Sequence, residues 1–150
     1  MEAVAAPCGG RLGLTRLLVI RHARAGNRSE WHGDDRVRPL DERGRAQADA
    51  LVDELAGFPV ERILSSPYDR CIQTVEPLAA ERGLPIEPRD ELGEERQATA
   101  GVTLVRSLAG EPVAVCVHGG LTDNAFGQRQ KKGETLVIDR DGAVVERRRV

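Results

Sequence analysis

The sequence is poor in cysteine, and the few cysteines form no recognisable framework. Cys8, Cys71 and Cys116 are the three among 150 residues, an odd number without CxxC spacing. This pattern excludes a disulfide scaffold and a cysteine-based zinc site. A reducing cytoplasm is therefore the expected compartment.

The sequence also lacks a membrane segment, a leader peptide and a strong net charge. No apolar run approaches the length of a membrane span, and the N-terminal stretch MEAVAAPCGGRLG carries Glu2 where a signal peptide would be basic. The net charge is −2, so no global field attracts nucleic acid or an anionic membrane. We expect neither as a partner, and any anion has to be bound by a local arrangement of side chains.

Length and composition fit one globular domain. Charged residues make up 31% and hydrophobic residues 40% of the chain, which is ordinary for such a domain. We detect no internal repeat and no linker. The prediction is a flexible N-terminal tail over residues 1–14 and a single domain over residues 15–150, with the oligomeric state left open.

Strands and helices alternate along the predicted domain. Short apolar runs predict strands, and apolar residues at helical spacing predict helices, the first with Asp41 as its N-cap. The strands are expected within residues 15–22, 60–67, 84–88 and 112–120, with a terminal hairpin over 133–150, and the helices within 40–58, 68–83, 98–110 and 121–128. This alternation predicts an α/β fold, a three-layer α/β/α sandwich with a mostly parallel sheet and a C-terminal antiparallel hairpin. Pro77 should kink or divide the second helix, and residues 25–39 should form a loop.

Two of the buried strands end in histidine. The run LLVI leads directly into Arg21, His22 and Arg24, and the run VAVCV leads into His118 and Gly119. In open α/β sheets ligands bind beyond the carboxyl ends of the strands, so both histidines are expected at one edge of the sheet. The glycines of HGG allow a sharp turn into the next helix, whose first amides can then face an anion.

A third strand leads into the helix that carries Arg70. A cation in the first turn of a helix opposes the helix dipole, so this position suggests a ligand for Arg70. Arginine suits phosphate because its planar guanidinium bonds two oxygens at once and keeps its proton. A neutral imidazole is a competent nucleophile near neutral pH, and flanking guanidiniums disfavour its protonated form. The residues themselves therefore point to phosphoryl transfer at His22.

Four segments of the chain resemble, in order, the signature segments of the histidine phosphatase superfamily, which has the phosphoglycerate-mutase-like fold. They are LVIRHARA, RPLDERGRAQADAL, ILSSPYDRCIQTVEPLA and VAVCVHGG, and the resemblance spans about residues 15 to 140. The chain is most similar to the short SixA-type phosphohistidine phosphatases, which carry RHA where other branches carry RHG.

The resemblance implies a role for each matching residue. His22 matches the nucleophile that becomes phosphorylated. Arg21 and Arg70 match the arginines that hold the phosphoryl oxygens, and His118 matches the second histidine of the pocket. The proton donor of the family follows the third strand in an LxE element, which points to Glu94.

Glu91 and Glu95 lie next to that element and are alternative proton donors. Amides near Gly119 would also hold the oxygens, and Arg24 would assist at the rim of the site. The expected function is that of a metal-independent phosphatase, which hydrolyses a phosphomonoester or a phosphoramidate through a phosphohistidine on His22. No cofactor or metal is required. The expected partner is the phosphorylated substrate, either a protein phosphohistidine or a small phosphate compound.

Other functions are compatible with parts of the sequence. A metal-dependent phosphohydrolase would combine HGDD, residues 32–35, with His22 and His118, although a solvated turn is the favoured interpretation of the two aspartates. A module that only binds phospho-ligands would keep the cations but need no nucleophile at position 22. A mutase would require longer insertions than the chain has after the Arg70 helix. The basic stretch Gln128–Lys132 is either a solvated loop or a docking surface for an acidic protein.

Overall fold

A computed structural model of the protein describes residues 14–150. Most of the predicted tail, residues 1–13, lies outside the described range. Within residues 14–150 there is no helix with the length and apolar character needed to cross a membrane. The described strands form one sheet, and the division into a tail and a single domain stays a prediction.

A six-stranded sheet runs through the centre of the protein. Its strands are β1 Leu17–Arg21, β2 Arg62–Ser65, β3 Ile86–Pro88, β4 Val113–Val117, β5 Thr135–Ile138 and β6 Val144–Arg148. The order across the sheet is β3-β2-β4-β1-β5-β6, with parallel pairing from β3 to β1 and antiparallel pairing from β1 to β6. The predicted sheet and its C-terminal antiparallel pair are confirmed.

Helices cover both faces of this sheet. α1 Glu42–Glu54 and α2 Asp69–Arg82 pack on one face, and α3 Val102–Ser107 and α4 Leu121–Phe126 pack on the other. Alternate residues of a strand point to opposite faces, so Leu18 joins the core under α1 and α2 whereas Leu17 joins the core under α3 and α4. Burial on both faces explains the continuous apolar runs that mark the central strands.

Two local expectations differ from the structure. α2 continues through Pro77 as one helix, so of the two outcomes expected at this proline the division is wrong, and the kink stays a prediction. Val75 and Leu78, on either side of the proline, are buried in the core, and this packing outweighs the loss of one backbone hydrogen bond. The helix predicted over residues 98–110 begins as a π-helical turn, Gln97–Gly101, and only then becomes α3.

The pairing of β1 with β4 places the two strand-end histidines side by side. The strands run parallel, with Arg21 opposite Val117. The backbone N–H of His22 donates to the carbonyl oxygen of Val117 at 3.0 Å. The two imidazole centroids, of His22 and His118, are 5.6 Å apart. Both rings therefore lie at the carboxyl edge of the sheet, as the sequence predicts.

Candidate active site

His22 lies at the end of β1 and is 6% exposed. Its Nδ1 is 2.7 Å from the carbonyl oxygen of Ala23, and because a carbonyl only accepts hydrogen bonds, Nδ1 carries the hydrogen. In the neutral ring, Nε2 is then the nitrogen with the available lone pair. The pKa of His22 is lowered from 6.5 to about 3. Burial is the main cause, the hydrogen bond to Ala23 opposes it, and the neighbouring His118, Arg70 and Arg21 add to the lowering. This direction agrees with the neutral imidazole expected from the sequence, although burial contributes more than the flanking guanidiniums.

His118 packs between His22 and Tyr68. Its ring is edge-on to both, with centroid distances of 5.6 Å to His22 and 4.6 Å to Tyr68. Its Nε2 is 2.8 Å from the hydroxyl oxygen of Ser66. The side chain of Gln97, in the π-helical turn, accepts a hydrogen bond from the backbone N–H of His118. The Nδ1 of His118 is buried without a hydrogen-bond partner among residues 14–150.

Arg21 extends from the end of β1 toward the segments that follow β4. Its Nη1 donates to the carbonyl oxygen of Gln130 at 2.7 Å, and its Nε is buried without a partner in the described chain. Gly119 lies against the guanidinium, because a Cβ at this position would come within 2.7 Å of the Arg21 Cζ. Gly120, with a φ of 98°, makes the turn into α4. The close approach of Arg21 is thus a second reason for glycine after His118.

Arg70 is the second residue of α2, and its side chain is fully buried. Its Nη2 donates to Oδ2 of Asp35 at 3.0 Å, and its Nη1 donates to the carbonyl oxygen of Asp35 at 2.8 Å. A guanidinium in a protein interior needs such partners, because an unpaired buried charge is strongly destabilising. The Nε of Arg70 is buried and has no partner within residues 14–150.

Further arginines and an acid surround this pair, and together they form the Asp35 cluster, defined as Arg28, Asp35, Arg38, Arg70 and Glu94. Arg38 donates to Oδ1 of Asp35 at 2.9 Å. Arg28 donates to both carboxylate oxygens of Glu94, at 2.9 and 2.8 Å, and Glu94 lies 3.4 Å from Arg70. Burial raises the pKa of the Asp35 carboxyl, but the hydrogen bond from Arg38 and the charge of Arg70 outweigh it, and the net pKa is lowered.

The interpretation of HGDD as a solvated turn is wrong for Asp35. The short 3-10 helix Asp35–Val37 packs on Arg70, so the carboxylate of Asp35 is only partly exposed. Asp34 is exposed and accepts a hydrogen bond from the backbone N–H of Arg36, as expected for a turn residue. Sequence reasoning missed the contact between Asp35 and Arg70 because the two residues are 35 positions apart along the chain. Among residues 14–150, no three histidine, cysteine or acidic side chains come together as metal ligands.

An open cleft of about 1170 Å³ lies over the strand ends. Arg21, His22 and Arg24 line it, together with Gly119. Arg70 and His118, which are 0% and 1% exposed, lie behind this lining and are covered by other residues. The structure therefore brings the predicted residues together in two layers, a cationic surface and a buried layer beneath it.

Among the three acids proposed as a proton donor, Glu94 lines the cleft. Glu95 accepts a hydrogen bond from the Tyr68 hydroxyl at 2.9 Å and lines a separate pocket. Glu91 lies on the 3-10 helix Asp90–Leu92 and does not line the cleft. The geometry therefore favours Glu94 for contact with a molecule bound in the cleft.

Comparison with known proteins agrees with the resemblance seen in the sequence. The sequence model of the histidine phosphatase superfamily (branch 1) matches residues 17–98, more than half of the chain. The 8-oxo-(d)GTP phosphatase of Mycolicibacterium smegmatis is 44% identical over 108 residues, which cover 69% of this chain and 34% of that protein. The chain thus spans about a third of the length of this curated relative.

Solved structures share the fold at lower sequence identity. The protein histidine phosphatase SixA in complex with tungstate has a TM-score of 0.71 at 23% identity, over 90% of this chain and 97% of that one. A mycobacterial glucosyl-3-phosphoglycerate phosphatase has a TM-score of 0.67 at 18% identity, over 82% of this chain and 89% of that one. Because the family model matches from β1 into the turn before α3, the chain belongs to the histidine phosphatase superfamily.

Proposed function

We propose that the protein is a metal-independent phosphatase that forms a phosphohistidine on His22. The observation that carries the proposal is the hydrogen bond from His22 Nδ1 to Ala23, because it leaves Nε2 as the unprotonated nitrogen of a neutral ring. The low pKa of His22 keeps that lone pair available at neutral pH. Arg21 and Arg70 supply positive charge for the phosphoryl oxygens, which is the main requirement of phosphoryl transfer.

The reaction consists of two transfers at phosphorus. Nε2 of His22 attacks, the P–N bond forms, and the bond to the leaving group breaks with its electron pair on the departing oxygen or nitrogen. Glu94 donates a proton to that atom. Water then attacks the phosphohistidine and gives one proton to the Glu94 carboxylate, which regenerates the acid. The P–N bond breaks with its electron pair on Nε2, and inorganic phosphate leaves. Neither step of the proposed mechanism requires a metal ion or a cofactor.

Asp35 competes with the substrate for Arg70 in this mechanism. The terminal nitrogens of Arg70 donate to Asp35, and the guanidinium is fully buried beneath it. A phosphoryl group offers three anionic oxygens with the same acceptor chemistry as a carboxylate. Binding of the substrate therefore exchanges the Asp35 carboxylate for phosphoryl oxygens, and the 3-10 helix of Asp35 moves away from α2.

The proposed substrate is a phosphomonoester or a phosphoramidate, with a protein phosphohistidine as one candidate. The SixA structure that shares the fold is that of a protein histidine phosphatase. The name of the mycobacterial relative, 8-oxo-(d)GTP phosphatase, adds nucleotides to the candidates. We place the protein in the reducing cytoplasm, where Cys71 and Cys116, both buried and free, stay reduced.

The covalent intermediate is the first test of the proposal. In EDTA, brief reaction with a 32P-labelled aryl phosphate and an alkaline quench should leave label on His22, because phosphohistidine is stable in base and labile in acid. His22→Ala should abolish both label and turnover, while His32→Ala, which removes an exposed histidine outside the cleft, should keep both. Label that persists in His22→Ala would place the nucleophile elsewhere, and vanadate binding without turnover would indicate a module that only binds phospho-ligands.

The titration of His22 is the second test. Nitrogen chemical shifts of the 15N-labelled ring should show a neutral Nδ1–H tautomer from pH 8 down to about pH 4, because burial lowers the pKa from 6.5 to about 3. The same ring in the urea-unfolded protein should titrate near 6.5. Between pH 6.5 and pH 3, His22 takes up a proton only in the unfolded state. The contribution of His22 to the free energy of unfolding therefore falls as the pH falls from 6.5 toward 3. A midpoint between pH 6 and 7 in the folded protein would contradict the assignment.

Competition between Asp35 and phosphate is tested with Asp35→Asn. The variant removes a charge from the partner of a buried arginine, so the free energy of unfolding should fall by about 1 to 3 kcal/mol. Vanadate should bind it several-fold more tightly, because Arg70 no longer exchanges a carboxylate for the oxyanion. Asp49→Asn, on the exposed face of α1, should change neither quantity. Weaker vanadate binding by Asp35→Asn would mean that Asp35 positions Arg70 and does not compete for it.

The proton donor is tested through the leaving group. Glu94→Gln should slow hydrolysis of an alkyl phosphate about 100-fold or more, because an alkoxide leaves poorly without a proton. Hydrolysis of nitrophenyl phosphate should change little, since nitrophenolate is a stable anion. Equal losses on both substrates would mean that Glu94 binds the substrate. No loss on either would transfer the role to Glu91 or Glu95.

A further inference from the structure

A side cavity of about 400 Å³ lies next to the cleft. Arg21 lines both spaces, so the side cavity begins where the phosphoryl site ends. Arg24 and Lys132 also line both the cleft and the side cavity. Gln47 lines the side cavity but not the cleft. A molecule held at Arg21 can therefore extend into the side cavity without leaving the cleft.

Specific hydrogen bonds fix the backbone at Arg24 and Lys132, the two outer cations of this cavity. The Oε1 of Gln47 accepts from the backbone N–H of Arg24 at 3.0 Å, and its Nε2 donates to the carbonyl oxygen of Lys132 at 3.3 Å. The N–H of Gly133 is shared between the carbonyl oxygens of Arg21 and His22, at 3.1 Å from each. Gly133 has a φ of 80°, and a Cβ there would come within 2.8 Å of the Gln47 amide. The segment around Lys132 is thus anchored to both the nucleophile strand and α1.

Positive charge predominates in the side cavity. The cations Arg21, Arg24, Lys131, Lys132 and Arg149 line it, together with Glu134 and with Val150, whose carboxyl oxygen accepts a hydrogen bond from Gln47 at 3.4 Å. Glu134 accepts hydrogen bonds from Arg147 and Arg149 at 2.9 and 3.1 Å. Within residues 14–150, neither Arg24 nor Lys132 has a carboxylate oxygen within 4.0 Å.

The surroundings of Lys132 show the same excess of positive charge. Burial lowers the pKa of Lys132, and the charges of Arg21, Arg24 and Arg38 lower it further, with partial compensation from Asp41. The carboxylate of Asp41 already accepts two hydrogen bonds. One comes from the backbone N–H of Gly44, where Asp41 caps α1, and the other from the backbone N–H of Gly26. Cations crowded together at this position are stabilised by an anionic ligand.

We propose that Arg24 and Lys132 form a second anion subsite, which binds the phosphate adjacent to the transferred phosphoryl group in a substrate with a diphosphate or triphosphate chain. The inference rests on the proposed function, because it names the substrate class of the same site. Because Arg21 lines both spaces, the phosphoryl site and the second subsite adjoin each other, as two phosphates joined by one bridging oxygen require. In the reaction the P–O bond to this second phosphate breaks, and the phosphate leaves with the electron pair.

Inhibition by inorganic anions tests the subsite without a natural substrate. With nitrophenyl phosphate as reporter and EDTA present, pyrophosphate should inhibit about 10-fold or more tightly than orthophosphate. Lys132→Gln and Arg24→Gln should each remove most of this ratio. Arg45→Gln, an exposed position on α1 outside both cavities, removes the same charge and should keep the ratio.

Each outcome decides for or against the subsite. A pyrophosphate to orthophosphate ratio near one overturns it, as does an equal loss of the ratio in Arg45→Gln, which would reveal only a global charge effect. Phosphonoacetate carries a carboxylate in place of the second phosphate. If it inhibits as strongly as pyrophosphate does, the assignment to phosphate is overturned, and the subsite accepts any second anion. If nitrophenyl phosphate is not hydrolysed, the proposed function fails, and calorimetric binding of the same two anions to the protein still tests the subsite.

Discussion

The parallel pairing of β1 with β4 is the constraint on which the site depends. Each strand is buried on both faces, so neither can shift without exposing an apolar side chain. Their register sets Arg21 opposite Val117 and places the two following histidines 5.6 Å apart between their ring centroids. The chemistry at the sheet edge is therefore positioned by core packing, and the loops that follow add its charge.

The site joins two buried side chains of different charge, His22 and Arg70. Burial is the main reason that the pKa of His22 is about 3, which keeps the imidazole neutral. The buried guanidinium of Arg70 is paired with Asp35 at 3.0 Å, and Arg38 in turn holds Asp35. A neutral imidazole near a buried guanidinium suits the proposed phosphoryl transfer, since the lone pair and the positive charge are both in place before a substrate binds.

Sequence reasoning succeeded wherever a local pattern had one physical interpretation. Apolar runs predicted β1 and β4, since only strands covered on both faces are apolar throughout, and the strand-end positions of His22 and His118 followed from parallel topology. It failed in allowing for a division of α2 at Pro77, where buried residues on both sides of the proline keep the helix in one piece. It failed again at Asp35, because a polar residue in an unpatterned loop has no periodicity that reveals its partner.

The sequence by itself determined the fold class, the family and the residues at the carboxyl edge of the sheet, because apolar periodicity and short motifs are local properties of the chain. The tertiary structure alone decided which nitrogen of His22 is available, which acid contacts Arg70, and how Gln47 links Arg24 to Lys132. The last two depend on contacts between residues 35 and 85 positions apart. The first depends on the hydrogen bond from His22 Nδ1 to the carbonyl oxygen of Ala23, which forms only in the folded backbone conformation. The charge of a side chain can be read from the sequence. The residues that surround that side chain, and its exposure to water, are set only when the chain has folded.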